Sequence, residues 1–237
     1  MFNQRGREHA SRQESRRGHL RSAVVIGLGR FGSALGQELM DSGVEVLAID
    51  DDPKVVQEFK GQFTSVVRAD ATSQQTLEEL GVSDFAAVVV AIGTDLEASV
   101  LTTSRLLAME NVPEIWAKAI SEAHAQILEQ LGVTHVIRPE HDMGLRTAHL
   151  LIGHALDFVS LDGGFALIRC QPPAATQQRP FDTLNLRQKY GVTVVALRRN
   201  GQQWSPMEPG TMLYDDDEIM VTGTKHDVEH FAGLDSN

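Results

Sequence analysis

Three glycines spaced Gly27-x-Gly29-x-x-Gly32 lie in AVVIGLGRFGSALGQELMDSG, residues 23 to 43, and a carboxylate, Asp50, follows 18 residues after the last of them. This pattern is suited to holding a phosphate. Gly27 permits a tight turn, Gly29 lets backbone approach the ligand, and Gly32 lets a helix pack close to the preceding strand. A helix opening there presents free N–H groups and the positive end of its dipole. Asp50 is spaced to bond a ribose hydroxyl, and its charge would repel a 2′-phosphate. Asp51 and Asp52 extend the acidic run; Asp52, directly before Pro53, also has the chemistry of a helix N-cap. Asp70-Ala71-Thr72 and Ala91-Ile92-Gly93 close the third and fourth strand-like segments. Ligands of open α/β sheets sit at the carboxyl ends of strands, so these two segments would flank an adenine or ribose. Together the residues predict an adenine nucleotide of unspecified tail. Arg30 and Phe31 occupy the variable positions of the glycine loop, and Arg30 alone reads equally well as an exposed helix-start residue.

Other chemistry is weaker. His226-Asp227-Val228-Glu229-His230 has the H-x-x-E-H spacing of a zinc protease. That mechanism needs a third ligand, and the residues after His230 include no His or Glu, so no zinc centre is expected. Cys170, the single cysteine, reads as a small buried thiol in a reducing setting. No acid, base and substrate-anchoring arginine constellation of a dehydrogenase is evident.

The glycine turn needs a strand before it and a helix after it, and the chain supplies both. AVVIG (23–27), VEVLAID (44–50), TSVVRAD (64–70), AAVVVAIG (86–93), EIWAKA (114–119) and THVIRP (134–139) read as six strands. Helical spacing fills the intervals: 31–42, from Pro53 through Phe59, a short helix opened by Thr72 with capping-box spacing to Gln75, 96–109, 121–131, and one from Glu140 to about Ala155. Alternating strands and helices with Val/Ile/Ala-rich strands predict a Rossmann-like, doubly wound parallel sheet. After residue 155 the pattern changes to hairpins. LDFVSL (156–161) and FALIRC (165–170) flank Asp162-Gly163-Gly164, Leu184 to Tyr190 reads as a short helix, and 192–206 turn at Asn200-Gly201. A strand at 217–223 and a helix at 225–232 complete a small α+β domain. The expected division is a basic, disordered tail over 1–22, a nucleotide-binding domain over 23–150 and a regulatory or dimerisation domain over 151–237.

The 237 residues carry 21 Lys+Arg against 32 Asp+Glu, a net charge of −11. So acidic a chain is a poor general nucleic-acid binder. No apolar run approaches the roughly 20 residues that span a bilayer. The first 22 residues run the other way, with six arginines (Arg5, Arg7, Arg12, Arg16, Arg17, Arg21) and two glutamates. The segment lacks the apolar core of a secretory signal and reads as a solvated arm, or as one that touches an anionic lipid surface or acidic partner.

VVIGLGRFGSALGQEL, VLAIDDDP, DLEASVLTT, IWAKA and IRPEHDMG resemble KtrA/TrkA-type cytosolic regulatory subunits of bacterial potassium uptake systems, which carry the RCK domain (regulator of conductance of potassium). The likeness runs from about residue 22 to 231; RPFDTLNLRQKYGVTVVALRR and DEIMVTG carry it through the small domain. The resemblance implies a non-enzymatic, cytoplasmic regulator whose subunits pair and assemble into an octameric ring. It implies docking beneath a membrane potassium channel or transporter subunit of KtrB/TrkH type, at the inner face of the cell membrane. It implies competition of ATP and ADP for the cleft. By position, Gly27 to Gly32 become the phosphate loop and Asp50 the ribose acid. Lys118 lies near the phosphates, and Arg30 reaches the γ-phosphate of a nucleotide held by the dimer partner. Glu140 is associated with a divalent or monovalent cation beside the phosphates. Asp70-Ala71-Thr72 stands where the family has Asn-Ala-Thr. Tyr214-Asp215-Asp216-Asp217 replaces the usual Gly-Asp, which predicts a tighter, more acidic turn. Some relatives bind cyclic di-AMP at the small domain. An NAD(H)-binding redox sensor and a small NAD-dependent oxidoreductase are the competing functions for the same fold.

Overall fold

The computed structural model describes residues 20–235 apart from 112 and 153. The expectation for the basic arm falls largely on 1–19, outside the described residues. The chain divides into two compact units between Glu140 and His141, ten residues before the expected boundary.

In the first unit, β1 (Ser22–Ile26), β2 (Glu45–Asp50), β3 (Ser65–Arg68), β4 (Ala87–Val90), β5 (Glu114–Lys118) and β6 (His135–Ile137) form one sheet. Their order is β3-β2-β1-β4-β5-β6, and all pairs are parallel. Helices α1 (Arg30–Asp41), α2 (Pro53–Glu58), α3 (Gln74–Glu79), α4 (Leu96–Ala108) and α5 (Glu122–Leu131) occupy the crossovers. This is the expected doubly wound sheet, with its order reversing between β1 and β4. Strand side chains alternate between two cores. Val24 and Ile26 join Leu47, Ile49, Val88 and Val90 on one face. Val25 joins Val46, Ala48, Val89 and Ala91 on the other. A central strand clothed on both faces is therefore apolar along its buried length, as β1 is from Ala23 to Ile26 and β4 throughout.

The helix starts are set by short polar side chains. Asp52 accepts from the Lys54 N–H, Ser73 from Thr76, Asp95 from Ala98 and Ser121 from His124. The expected capping box is displaced by one residue, because Ser73 caps α3. The Thr72 amide and hydroxyl both donate to Asp70 Oδ1, at 2.9 and 2.6 Å, so Thr72 belongs to the preceding turn.

Helix α6 (Pro139–Ile152) carries the chain onward, and β7 begins at Ala155, so that residue is strand rather than helix. The second unit is a five-stranded sheet, β10-β9-β11-β8-β7, built from β7 (Ala155–Ser160), β8 (Phe165–Cys170), β9 (Thr193–Arg199), β10 (Ser205–Pro206) and β11 (Asp217–Thr224). Its named pairs are antiparallel. The helix expected over 184–190 starts two residues later, as α7 (Leu186–Tyr190), because Asn185 at φ +50° separates it from a 3₁₀ turn at Phe181–Thr183. Helix α8 (Lys225–Ala232) places Val228 and Phe231 against Phe158, Ile168, Ile219 and Val221. Cys170 lies in this core at 0% exposure, and burial pushes its thiol up to about 12, which leaves it unreactive at neutral pH.

Candidate functional site

At the carboxyl end of β1 the backbone turns through Gly27, whose φ is +94°. Gly32 must lack a side chain: a Cβ there would stand 1.9 Å from the Gly27 carbonyl oxygen. Gly29 differs from both. Its φ is −64°, and a Cβ on it would meet nothing within 4 Å. Neither backbone strain nor packing within the chain demands glycine there. The space above it is open at the point where a phosphate would approach. Helix α1 starts from Gly29 with no side-chain cap, whereas α2 to α5 are each capped. Its first-turn N–H groups therefore face the same open space.

Asp50 closes the turn. Its two oxygens accept from the Leu28 N–H at 2.7 Å and the Asp52 N–H at 2.9 Å. A carboxylate bonded this way is fixed in direction, and its remaining lone pairs can accept from a ribose diol. Asp52 is exposed, and its Oδ1 caps α2 by accepting from the Lys54 N–H at 2.8 Å. Asp70 is likewise held by Thr72. The side-chain and amide bonds from Thr72 keep its carboxyl below the ordinary value. Ala71 is buried in the core beneath and can offer a ligand only backbone. Ile92 packs partly against the same core, and its amide lies close under the Gly27 turn.

Across the switch point, Lys118 ends β5 with its side chain only 9% exposed. Its Nζ donates to Glu140 Oε1 at 2.6 Å and lies 5.7 Å from the centroid of the Phe31 ring. A Cβ at Gly93 would sit 3.2 Å from the same nitrogen. The bond from Lys118 comes first, then the Glu140 amide, then the charges of Lys118 and Arg30; together they outweigh desolvation and hold the Glu140 carboxyl below its usual range. Arg30, Phe31, Gly93, Lys118 and Glu140 thus converge, with Arg30 exposed at the head of α1. This pairing joins residues 22 apart in sequence. Nothing in the local pattern of either residue names the other, and the family resemblance places each beside the phosphates without pairing them. Among the described residues, no group of three or more His, Cys, Asp or Glu side chains stands close enough to hold a metal ion.

The turn fits an adenylate: an uncapped helix start, an unfilled space over Gly29, an oriented carboxylate one strand away, and two cations on the far side. An open parallel sheet with this turn at its order reversal defines a nucleotide-binding α/β domain. Residues 23–139 match the TrkA-N domain and residues 178–234 the TrkA-C domain. The Ktr system potassium uptake protein A of Bacillus subtilis (strain 168) is 34% identical over 209 residues, 88% of this chain and 94% of that protein. The protein of the same name from Vibrio alginolyticus is 36% identical over 202 residues, 84% and 91% of the two chains. The chain belongs to this TrkA-N/TrkA-C family of Ktr potassium uptake proteins. Among solved structures, the TrkA-N domain of inner membrane protein ybaL from Escherichia coli has the same fold. Its TM-score is 0.50 at 20% identity, covering 56% of this chain and 98% of that one.

Proposed function

We propose that this chain is an ATP/ADP-responsive gating subunit of a potassium channel or transporter, acting in the cytoplasm as a ring of paired subunits against a membrane partner. Family membership makes it a regulatory component of potassium transport and not an enzyme. The observation that carries the nucleotide reading is Gly29: the residue is glycine where neither φ nor neighbouring atoms require it, beside an uncapped helix start.

The mechanism follows from charge. The N–H groups of α1 and Lys118 suffice for a diphosphate. Lys118 then has two competing anions, the phosphates and Glu140. A phosphate that takes Lys118 leaves the Glu140 carboxylate available to a cation beside the tail. A third phosphate adds charge that needs a further donor. Arg30 is exposed at the loop and carries a planar fork suited to a terminal phosphate. If that phosphate belongs to the nucleotide of a paired subunit, ATP and ADP differ in a contact made across the pair. Such a differential contact is what a ligand needs in order to shift a conformational equilibrium. NAD would satisfy Asp50 equally but offers no terminal phosphate to Arg30.

The test is a comparison of Arg30→Ala with the parent chain. ADP affinity stays within about twofold, while any preference for ATP over ADP is lost; a single charged hydrogen-bonded contact is worth about tenfold or more. Equal loss for both nucleotides contradicts the terminal-phosphate role.

A further inference from the structure

Arg68 has no role in the reading above, yet it stands in line with the residues that do. It is the last residue of β3 and is exposed. Its Cα partner across the β2–β3 ladder is Asp50. Val66 packs against the core shared by Val46 and Ala48, whereas Val67 packs against the other. Since alternate strand residues share a face, Arg68 and Asp50 emerge on the same side of the sheet. Its Nε–H donates to the Asp51 carbonyl at 3.2 Å. Asp50, Asp51, Asp52 and Asp70 all lie within two residues of Arg68 or of its ladder partner, but the guanidinium enters no ion pair among the described residues. One edge of the fork is thus pinned to backbone while the plane and both terminal nitrogens stay available.

The strand order gives this placement a meaning. Lys118 on β5, the glycine turn after β1, Asp50 on β2 and Arg68 on β3 follow one another along the carboxyl edge. Neighbouring strands are about 4.8 Å apart. A nucleotide with its phosphates at the turn and its ribose at Asp50 carries its base toward the next strand, at Arg68. Guanidinium planes stack on purine faces, and a plane already anchored through Nε loses little freedom in doing so. We infer that Arg68 lies against the adenine face of the bound nucleotide and sets the preference for a base-bearing ligand. The inference rests on the adenylate reading of the same cleft.

The experiment is isothermal titration of the full chain, Arg68→Ala and Arg68→Lys with ADP, AMP, ribose 5-phosphate and NADP. The expected result is a loss of about tenfold for ADP and AMP in Arg68→Ala, with ribose 5-phosphate unchanged. Lysine keeps a donor for the Asp51 carbonyl but has no plane, so Arg68→Lys should behave like Arg68→Ala. Unchanged AMP and ADP affinity overturns the inference and leaves the adenylate reading standing. Rescue by lysine, or equal losses for AMP and ribose 5-phosphate, overturns it by showing that Arg68 only anchors the turn. Tighter binding of NADP than ADP, lost in Arg68→Ala, overturns it in favour of a 2′-phosphate contact. Failure of the parent chain to bind any adenylate at millimolar concentration refutes the underlying reading instead.

Discussion

Gly29 and Gly32 are three residues apart in one motif, and their substitutions should separate function from folding. Gly32→Ala forces a Cβ to within 1.9 Å of the Gly27 carbonyl oxygen, so backbone must shift. Overpacking of this kind costs about 1–3 kcal/mol or more, and a melting temperature lowered by several degrees is expected. Gly29→Ala meets nothing and should melt within about a degree of the parent. The motif spacing already suggests this division, Gly32 for packing and Gly29 for the ligand; the structure adds what lies above each Cα, backbone at 1.9 Å over one and nothing within 4 Å over the other. The carboxylates were less legible. Asp50 was readable from its distance to Gly32, and its bonds from the Leu28 and Asp52 amides fit the role assigned to it. Asp52 and Asp70 share its residue type and neighbourhood, and each accepts local bonds of its own, at a helix cap and at a turn. Composition does not distinguish these three placements. The acidic turn at 214–217 makes the same point. Asp215 and Asp216 are exposed, while Asp217 is fully buried and accepts two bonds from Arg199 at 2.8 and 2.9 Å and one from the Tyr214 amide. Burial raises its carboxyl, but Arg199 and that amide outweigh it and hold the net value below the ordinary 3.8. A depressed carboxyl contributes stability above its unfolded value and loses it as pH falls through the folded one. Asp217→Ala should cost about 1–3 kcal/mol at neutral pH and flatten the acid limb of the unfolding profile below about pH 4.

The helix that follows β5 illustrates what periodicity does and does not reveal. Its span was legible from the Ser121 cap and from Gly132 at its far end, both local signals. The state of His124 inside it was not. Its ring has 0% exposure, its Nδ1 accepts from the Ile120 amide at 3.3 Å, and its Nε2 is buried without a partner among the described residues. Burial pushes its pKa below 6.5. The folded chain therefore resists protonation where the unfolded chain accepts it. Stability is full above about pH 6.5 and falls as pH drops toward the lowered folded value. Chemical denaturation between pH 7.5 and 5 should show this loss in the parent and a shallower slope in His124→Gln. An identical slope in both would place the acid sensitivity elsewhere. The strands were more legible than their ends, because an apolar run marks burial on both faces while the final residue depends on the ladder. TSVVRAD reads as seven strand residues, and only Ser65–Arg68 pair. That shortening puts Arg68 at the strand's carboxyl end and opposite Asp50, a relation visible only once register is known.

At the scale of the whole molecule, the proposed function requires an acidic chain to attract an anionic ligand by local arrangement against a net charge of −11. The helix start, Lys118 and Arg30 concentrate positive potential where the sheet order reverses. A ligand that binds only the folded state stabilises it by about 2.7 kcal/mol at a hundred times its dissociation constant. ADP at saturating concentration should therefore raise the melting temperature of the first unit by several degrees. The division into two units was legible because hairpin signals replace helical crossovers after residue 155. Its position near Glu140 was not, because α6 runs without a break through the boundary. The central claim is that the space over Gly29 holds the phosphates of an adenine nucleotide. Calorimetric titration of ADP into the parent chain and into Gly29→Ala tests it most directly, with both melting temperatures measured alongside. The prediction is saturable binding by the parent and at least about tenfold weaker binding by the variant, at unchanged melting temperature. Equal affinities in the two chains, or no heat from the parent at millimolar ADP, would contradict it.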